Sequence, residues 1–225
     1  MMSEAKGKCV GTLVYFGGLH SRGEPCKLIA AYGGLNMKKE LITFEQWGKM
    51  KCKEIPYLPM IKKPDGKNML ETEDICKHLA ILGGKMVVDE KQAALAKIAN
   101  GPPMIFADPF LNVPKAMWAK YNLPSVEDWA NKQIAPLFKK LAADLGSGPF
   151  FAGETPGYGE ALIWNGLHNA TTGPGGKKIA DAVGEEDMKK LMAFHDKMIE
   201  LPGIKEWFAA RPSKFGMPGS HASTL

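Results

Sequence analysis

Arginine is almost missing from this chain. Of its 29 basic residues only Arg22 and Arg211 are arginine; the rest are lysines spread along the length. Nucleic-acid readers favour clustered arginine interleaved with aromatics, so the net charge of +5 reads as a solvated lysine surface and no nucleic-acid partner is expected. Cysteine is scarce as well. Cys9, Cys26, Cys52 and Cys76 form neither a C-x-x-C motif nor close pairs, which fits the reduced thiols of a cytoplasmic protein better than a disulfide frame. His20, His78, His168, His195 and His221 make no metal-spaced cluster with them, so no metal is expected. No apolar run approaches the roughly 20 residues of a membrane span, and the opening Met1 to Lys8 is polar, with no apolar signal segment expected.

The residues present suffice for a full core: 225 in all, 45% hydrophobic and 24% charged, enough for one large or two small domains. Val10 to Phe16 is β-branched and aromatic and reads as a first strand. Gly17 to Gly23 is a loop, and Glu24-Pro25 opens a helix, proline being tolerated in its first turn. Leu28, Ile29 and Tyr32 give that helix a core stripe, and Gly33-Gly34 ends it. Met37 to Phe44 reads as a second strand, leading into a mostly polar connection to Pro56 that carries Trp47. The order strand, helix, strand, loop, hairpin, helix describes a small α/β layer.

The stretch from Leu58 to Ile75 organises the rest. Pro64-Asp65-Gly66-Lys67 is turn chemistry joining Met60 to Lys63 with Asn68 to Leu70, a tight hairpin. Thr72 stands where a helix starts, with Glu73 and Asp74 in its first turn and Ile75, Leu79 and Leu82 on one face. Unpaired N–H groups at such a helix start suit a small carboxylate, and Glu71 beside them offers the opposite charge. The pair matches an amino-acid head group, although an acidic helix start stabilised by its own dipole accounts for the same residues. Leu58-Pro59 stands at the mouth of the strand. A cis bond there turns the Leu58 N–H and C=O outward to pair with an extended peptide; Pro56 competes for that role.

Leu82 to Met86 reads as a linker, and the remainder of the chain reads as helical. Asp89 to Asn100 is amphipathic until Gly101-Pro102-Pro103 breaks it. Met104 to Tyr121 carries Phe106, Phe110, Met117 and Trp118. Ser125 with Asp128 is near a capping box, and Pro136 either kinks that helix or starts the next, with Leu137, Leu141 and Leu145 along its face. Leu191, Phe194, Met198, Ile204 and Trp207 belong to the closing helices.

Taken in order, these pieces resemble the glutathione transferases, in particular the sigma-like, tyrosine-type members. The resemblance rests on Tyr15-Phe16; Arg22-Gly23-Glu24-Pro25 with Cys26-Lys27; Phe44-Glu45-Gln46-Trp47 with Lys51; Leu58-Pro59-Met60-Ile61; and Asp65-Gly66-Lys67 with Leu70 to Ile75. It continues through Phe150 to Glu160 and Leu201 to Trp207, covering all but about ten N-terminal residues and the tail after Pro212. Where the family places Ser or Thr at a buried helix start and Asp three residues on, this chain has Gly157 and Glu160. The loop between Tyr15 and Arg22 is one residue longer than the sigma-like pattern.

The resemblance implies an α/β plus all-α fold: an N-terminal thioredoxin-like domain, residues 1–83, followed by an all-helical C-terminal domain, residues 84–225, that contributes the electrophile pocket. It implies glutathione as co-substrate, a small hydrophobic electrophile as second substrate, and a homodimer. Tyr15 would donate to the thiolate and Arg22 would support it, with Ser21 in the same loop as the rival donor. Trp47 and Lys51 would take the glycine end, Leu58 and Pro59 the cysteinyl backbone, and Glu71 and Thr72 the γ-glutamyl head. Leu19, Phe110, Met117 and Trp118 would line the electrophile pocket, with Phe215 and Met217 at its mouth. Cys26 comes after Pro25 inside the helix and reads as a buried structural thiol. The acidic residue that a partner subunit often lends to the γ-glutamyl amine has no counterpart in Ala99-Asn100-Gly101. The same motifs also fit a glutathione-dependent isomerase of sigma-like type and a non-catalytic member with a structural or interaction role.

Overall fold

The apolar run near the start of the chain forms β1 (Cys9–Phe16), an inner strand of a four-stranded sheet of order β2-β1-β3-β4. The computed structural model describes residues 7–53, 55–105, 125–173 and 175–211. β2 (Asn36–Ile42) lies parallel to β1, an arrangement that needs a crossover, and α1 (Glu24–Gly33) supplies it. β3 (Met60–Lys62) pairs antiparallel on the other side of β1, and β4 (Asn68–Met69) returns through the expected hairpin. In its turn Asp65 Oδ1 accepts the Lys67 N–H at 3.0 Å, the local bond that recommends Asp in turns. α3 (Thr72–Gly83) comes next, and its Ile75 and Leu79 share one buried core with Leu13, Leu28, Ile29 and Ile61.

One stretch departs from the sequence reading. β2 stops at Ile42, and the connection read as polar loop contains a helix, α2 (Phe44–Met50). Thr43 Oγ1 accepts the Gln46 N–H at 3.1 Å, while Gln46 Oε1 accepts the Thr43 N–H at 2.7 Å. These reciprocal bonds satisfy two of the donors that a helix start leaves unpaired, so a short polar segment becomes helical without an apolar stripe.

The remainder is helical: α4 (Glu90–Ala99), a short α5 (Pro102–Ile105), α6 (Val126–Trp129), a π-helical turn (Ala130–Ile134), α7 (Ala135–Asp144), α8 (Tyr158–Thr172), α9 (Gly176–Val183), α10 (Glu185–Ile199) and α11 (Ile204–Ala210). Pro102 and Pro103 do not merely end α4; they open α5, a position where a missing N–H costs nothing. Of the two alternatives for Pro136 the second holds: it stands in the first turn of α7 and starts that helix. The π turn directly before it widens the backbone where the proline ring would meet a carbonyl of the preceding turn.

α8 is buried along nearly all its length and packs against α1, α3, α4 and α10. Its start explains the missing cap. Gly157 has no side chain to take the N–H of Glu160, and Gln92 of α4 takes it instead, its Oε1 accepting at 3.2 Å. The same carboxamide donates through Nε2 to Glu160 Oε1 at 2.9 Å, and that oxygen also accepts the Ala152 N–H at 2.8 Å. A Cβ on Gly157 would lie 1.9 Å from the Gln92 carboxamide carbon, so glycine makes room for a cap supplied by another helix. Burial pushes the Glu160 carboxyl up to about 7.

A second polar row joins the two halves of the molecule. Arg211 Nη2 stands 2.9 Å from His168 Nε2, His168 Nδ1 lies 3.0 Å from His195 Nε2, and His195 Nδ1 lies 2.8 Å from Asp196 Oδ1. Arginine only donates, so His168 Nε2 accepts. Its proton therefore sits on Nδ1 and is given to His195 Nε2, and the His195 proton sits on Nδ1 and is given to Asp196. Both rings are neutral in this row. The far side of Arg211 faces buried Glu24 of α1, Nη1 to Oε2 at 3.9 Å, and Glu24 is also bonded by Lys27 at 2.5 Å. Trp164, His168 and His195 stack nearly parallel, with the Arg211 guanidinium 3.9 Å from the Phe208 ring centre. Burial, and then Arg211, hold the His195 pKa below its ordinary value against the opposing pull of Asp196.

Gln92→Ala strips two hydrogen bonds from a buried carboxylate and a helix start and should cost about 2–4 kcal/mol in denaturant unfolding. Glu160 and His195 should act in opposite senses through the same pH window. Glu160 has a raised folded pKa, so its contribution falls as pH rises from about 4.5 to about 7, by roughly 3 kcal/mol at most. His195 has a depressed folded pKa, so its contribution is lost as pH falls below about 6.5. Unfolding measured from pH 5 to pH 8 should show Glu160→Gln losing stability toward acid more steeply than the parent, and His195→Gln losing it toward alkali.

Candidate active site

Tyr15 is the last but one residue of β1, where the strand runs out into the loop before α1. It is buried in one cluster with Val14, Ile42, Leu58 and Met60, against which Leu19, Trp47 and Leu70 pack. Strand pairing accounts for this convergence: β1 lies between β2, which ends at Ile42, and β3, which begins just after Leu58 and Pro59. α2 then lays Trp47 edge-on against Phe16, with ring centres 6.2 Å apart. Lys51 stands one turn after Trp47, its N–H donating to the Trp47 carbonyl at 2.8 Å, and its side chain is exposed. Lys27 Nζ stands 5.9 Å from the Tyr15 ring centre.

Leu58-Pro59 is a cis peptide, which decides between the two candidate prolines. At the head of α3, Glu71 has φ 67° and ψ 118°, and it is the one non-glycine residue with positive φ among the described residues. Thr72, the first residue of the helix, is buried, and its Oγ1 has no hydrogen-bond partner. Glu71 is joined by a residue that the sequence motifs do not single out. Tyr57 Oη donates to Glu71 Oε1 at 2.5 Å. That hydrogen bond, foremost, raises the Tyr57 phenol above its ordinary pKa. Tyr57 precedes Leu58 directly, and its place in the stretch leading to Pro59 is the signal by which sequence could have found it.

Arg22 and Ser21 turn toward the crevice between the sheet domain and the helices. They line a small cavity of about 30 Å³ with Thr72, Asn100, Asn165 and Asn169. Arg22 Nη2 donates to Asn100 Oδ1 at 3.4 Å, so the position without a carboxylate holds an amide that bonds within its own chain. Asn165 and Asn169, one turn apart on α8, are not among the residues the sequence singles out; polar residues at that spacing within a buried helix mark a polar surface. Met104 and Leu162 complete the apolar part of this wall. Cys26 is fully buried with its Sγ 3.8 Å from that of Cys76, whose thiol is pushed well up by burial. Such thiols are inert packing groups. Of the expected electrophile pocket, Leu19 lies in the Tyr15 cluster, whereas Phe110, Met117 and Trp118, like Phe215 and Met217, lie outside the described residues. Among the described residues no group of three His, Cys, Asp or Glu side chains could hold a metal ion.

A thioredoxin-like sheet domain joined to a helical domain, with a tyrosine at the end of its first strand and a positive-φ residue heading the helix after the hairpin, defines a class of protein: the glutathione S-transferase fold. Comparisons carry this further. Residues 112–211 match the family model described as glutathione S-transferase, C-terminal domain. The chain is 26% identical over 213 residues to a probable glutathione S-transferase 6 of Caenorhabditis elegans, covering 89% of this chain and 96% of that one. It is equally 26% identical over 212 residues to the hematopoietic prostaglandin D synthase of Gallus gallus, with the same coverage. Among solved structures, prostaglandin synthase D of Nilaparvata lugens superposes with a TM-score of 0.69 at 22% identity, covering 89% of this chain and 98% of that one. Glutathione S-transferases are thus what this chain is similar to along most of its length, and its fold is theirs.

Gly23 is part of the Tyr15 environment. A Cβ there would lie 2.5 Å from Tyr15 Cδ1 and displace the ring. Gly23→Ala should therefore shift the Tyr15 side-chain resonances and lower any activity that depends on its hydroxyl by about tenfold or more, the usual consequence of moving a reacting group by an ångström.

Proposed function

We propose that this protein is a cytoplasmic, homodimeric glutathione transferase of sigma-like type that adds the glutathione thiolate to small hydrophobic electrophiles, a role in detoxification. The observation that carries the reading is the gathering of Tyr15, Trp47 and Leu58 into one cluster at the end of β1. A free thiol has a pKa near 8.5, and each unit by which a site lowers it requires about 1.4 kcal/mol of differential stabilisation. The Tyr15 hydroxyl donates to the sulfur and supplies part of this, as an oxyanion-type donor does. Arg22, permanently charged and planar, supports the thiolate from the crevice side.

The tripeptide lies extended along the Leu58-Pro59 edge. Lys51 pairs with the glycine carboxylate beside Trp47, Thr72 and the N–H groups heading α3 take the γ-glutamyl carboxylate, and Glu71 takes its ammonium. The unpartnered Thr72 hydroxyl supports that assignment, since a buried hydroxyl without an acceptor or donor is costly until something fills the site. The electrophile occupies the wall of Leu19 and the segment with Phe110, Met117 and Trp118. With Asn100 engaged by Arg22, no carboxylate is assigned from a partner subunit, and the ammonium depends on Glu71. A second reading, a glutathione-dependent isomerase acting through the same site, draws support from the likeness to the two prostaglandin D synthases.

Replacing Tyr15 by Phe should cut turnover with a generic aromatic electrophile by roughly 10- to 100-fold and leave glutathione affinity nearly unchanged. Unchanged turnover would transfer the donor role to Ser21. Retention on immobilised glutathione without conjugation favours the isomerase, and absence of retention favours a structural role.

A further inference from the structure

The Tyr57–Glu71 hydrogen bond has no part in the mechanism above, and both of its residues are unusual. Tyr57 is 43% exposed, a large aromatic ring left facing solvent. Its hydroxyl is nonetheless committed, donating at 2.5 Å to Glu71 Oε1, the short length expected when the acceptor is a carboxylate. Glu71 stands in a backbone conformation that side-chain-bearing residues avoid, and such conformations persist where the surroundings over-determine them, most often at ligand sites. Glu73 and Asp74 stand just beyond Glu71 in the first turn of α3, so like charges nearby disfavour any fixed pose of its carboxylate. A donor on the solvent side is what holds it.

We propose that Tyr57 is a positioning residue for the γ-glutamyl head: its phenol fixes the Glu71 carboxylate so that Oε2 meets the substrate ammonium, and it couples that contact to the neighbouring Leu58 backbone. This rests on the glutathione reading given above. One carboxylate oxygen is taken by the phenol and the other remains for the ligand. Because Tyr57 and Leu58 are adjacent, a peptide that pairs with the Leu58 backbone also orders the loop carrying the phenol. The two ends of the γ-glutamyl-cysteinyl unit are then recognised together instead of independently. The device matters more here than where a second acid assists, since Asn100 bonds to Arg22 and leaves Glu71 as the assigned counter-charge.

The test compares the full-length parent with Tyr57→Phe, which keeps the ring and removes only the hydroxyl. Affinity is measured by calorimetry for S-methylglutathione and for its N-acetylated derivative, which lacks the ammonium, alongside KM and kcat with glutathione. Tyr57→Phe should weaken S-methylglutathione and raise KM by about 5- to 10-fold, leave kcat within about twofold, and leave the already weaker N-acetyl compound unchanged. A general loosening of the site would instead weaken both compounds alike and overturn the proposal. Equal or tighter binding of S-methylglutathione by the variant, with the parent binding normally, overturns the positioning role and leaves the glutathione reading intact. Failure of the parent itself to bind S-methylglutathione removes both.

Discussion

A single carboxamide holds the frame on which everything else is mounted. Gln92 reaches from α4 into the start of α8, accepts the N–H that a serine or threonine would have capped, and donates to Glu160. α8 is the element against which α1 and α3 of the sheet domain pack, so the angle at which it leaves Gly157 sets the width of the crevice beside Arg22. Substituting glycine at the cap is not a weakening of the helix start. It is the steric condition for a cap that comes from outside and ties two helices with the same two bonds.

The candidate site is assembled on the other side of that crevice by pairing across the sheet. β1 contributes Tyr15, β3 is preceded by Tyr57, Leu58 and Pro59, and the hairpin delivers the chain to Glu71 and Thr72. Each group stands at an element boundary, where side chains and backbone polar groups are free of ladder obligations yet fixed by the elements they join. Among the described residues Glu71 alone, glycines aside, has positive φ, while Thr72 and Ile75 after it are buried regular helix.

Much of this is legible from residue order alone. Strand, crossover helix and hairpin announce themselves through β-branched runs, Glu24-Pro25 and Pro64-Asp65-Gly66, because those signals are local. Tyr15, Leu58 and Glu71 are singled out as candidates for a related reason: each sits beside punctuation that a turn or helix start demands. α2 escapes a reading by periodicity although Thr43 and Gln46 form its capping box, since the segment offers no apolar stripe to advertise a helix. The partnership of Gln92 with Glu160 and that of Tyr57 with Glu71 cannot be read from order, because both join residues brought together only by tertiary packing. The same holds for Arg211, one of two arginines, whose role depends on two histidines from separate helices.

The Arg211 row has a sense of direction. Every ring nitrogen of His168 and His195 is committed, the protons all pointing away from Arg211 and toward Asp196. Turning either imidazole over about its Cβ–Cγ bond would put carbon where nitrogen is needed at both of its contacts. Neither ring turns over without losing its contacts, so the orientation of the pair is fixed between the Arg211 guanidinium at the end of α11 and the Asp196 carboxylate.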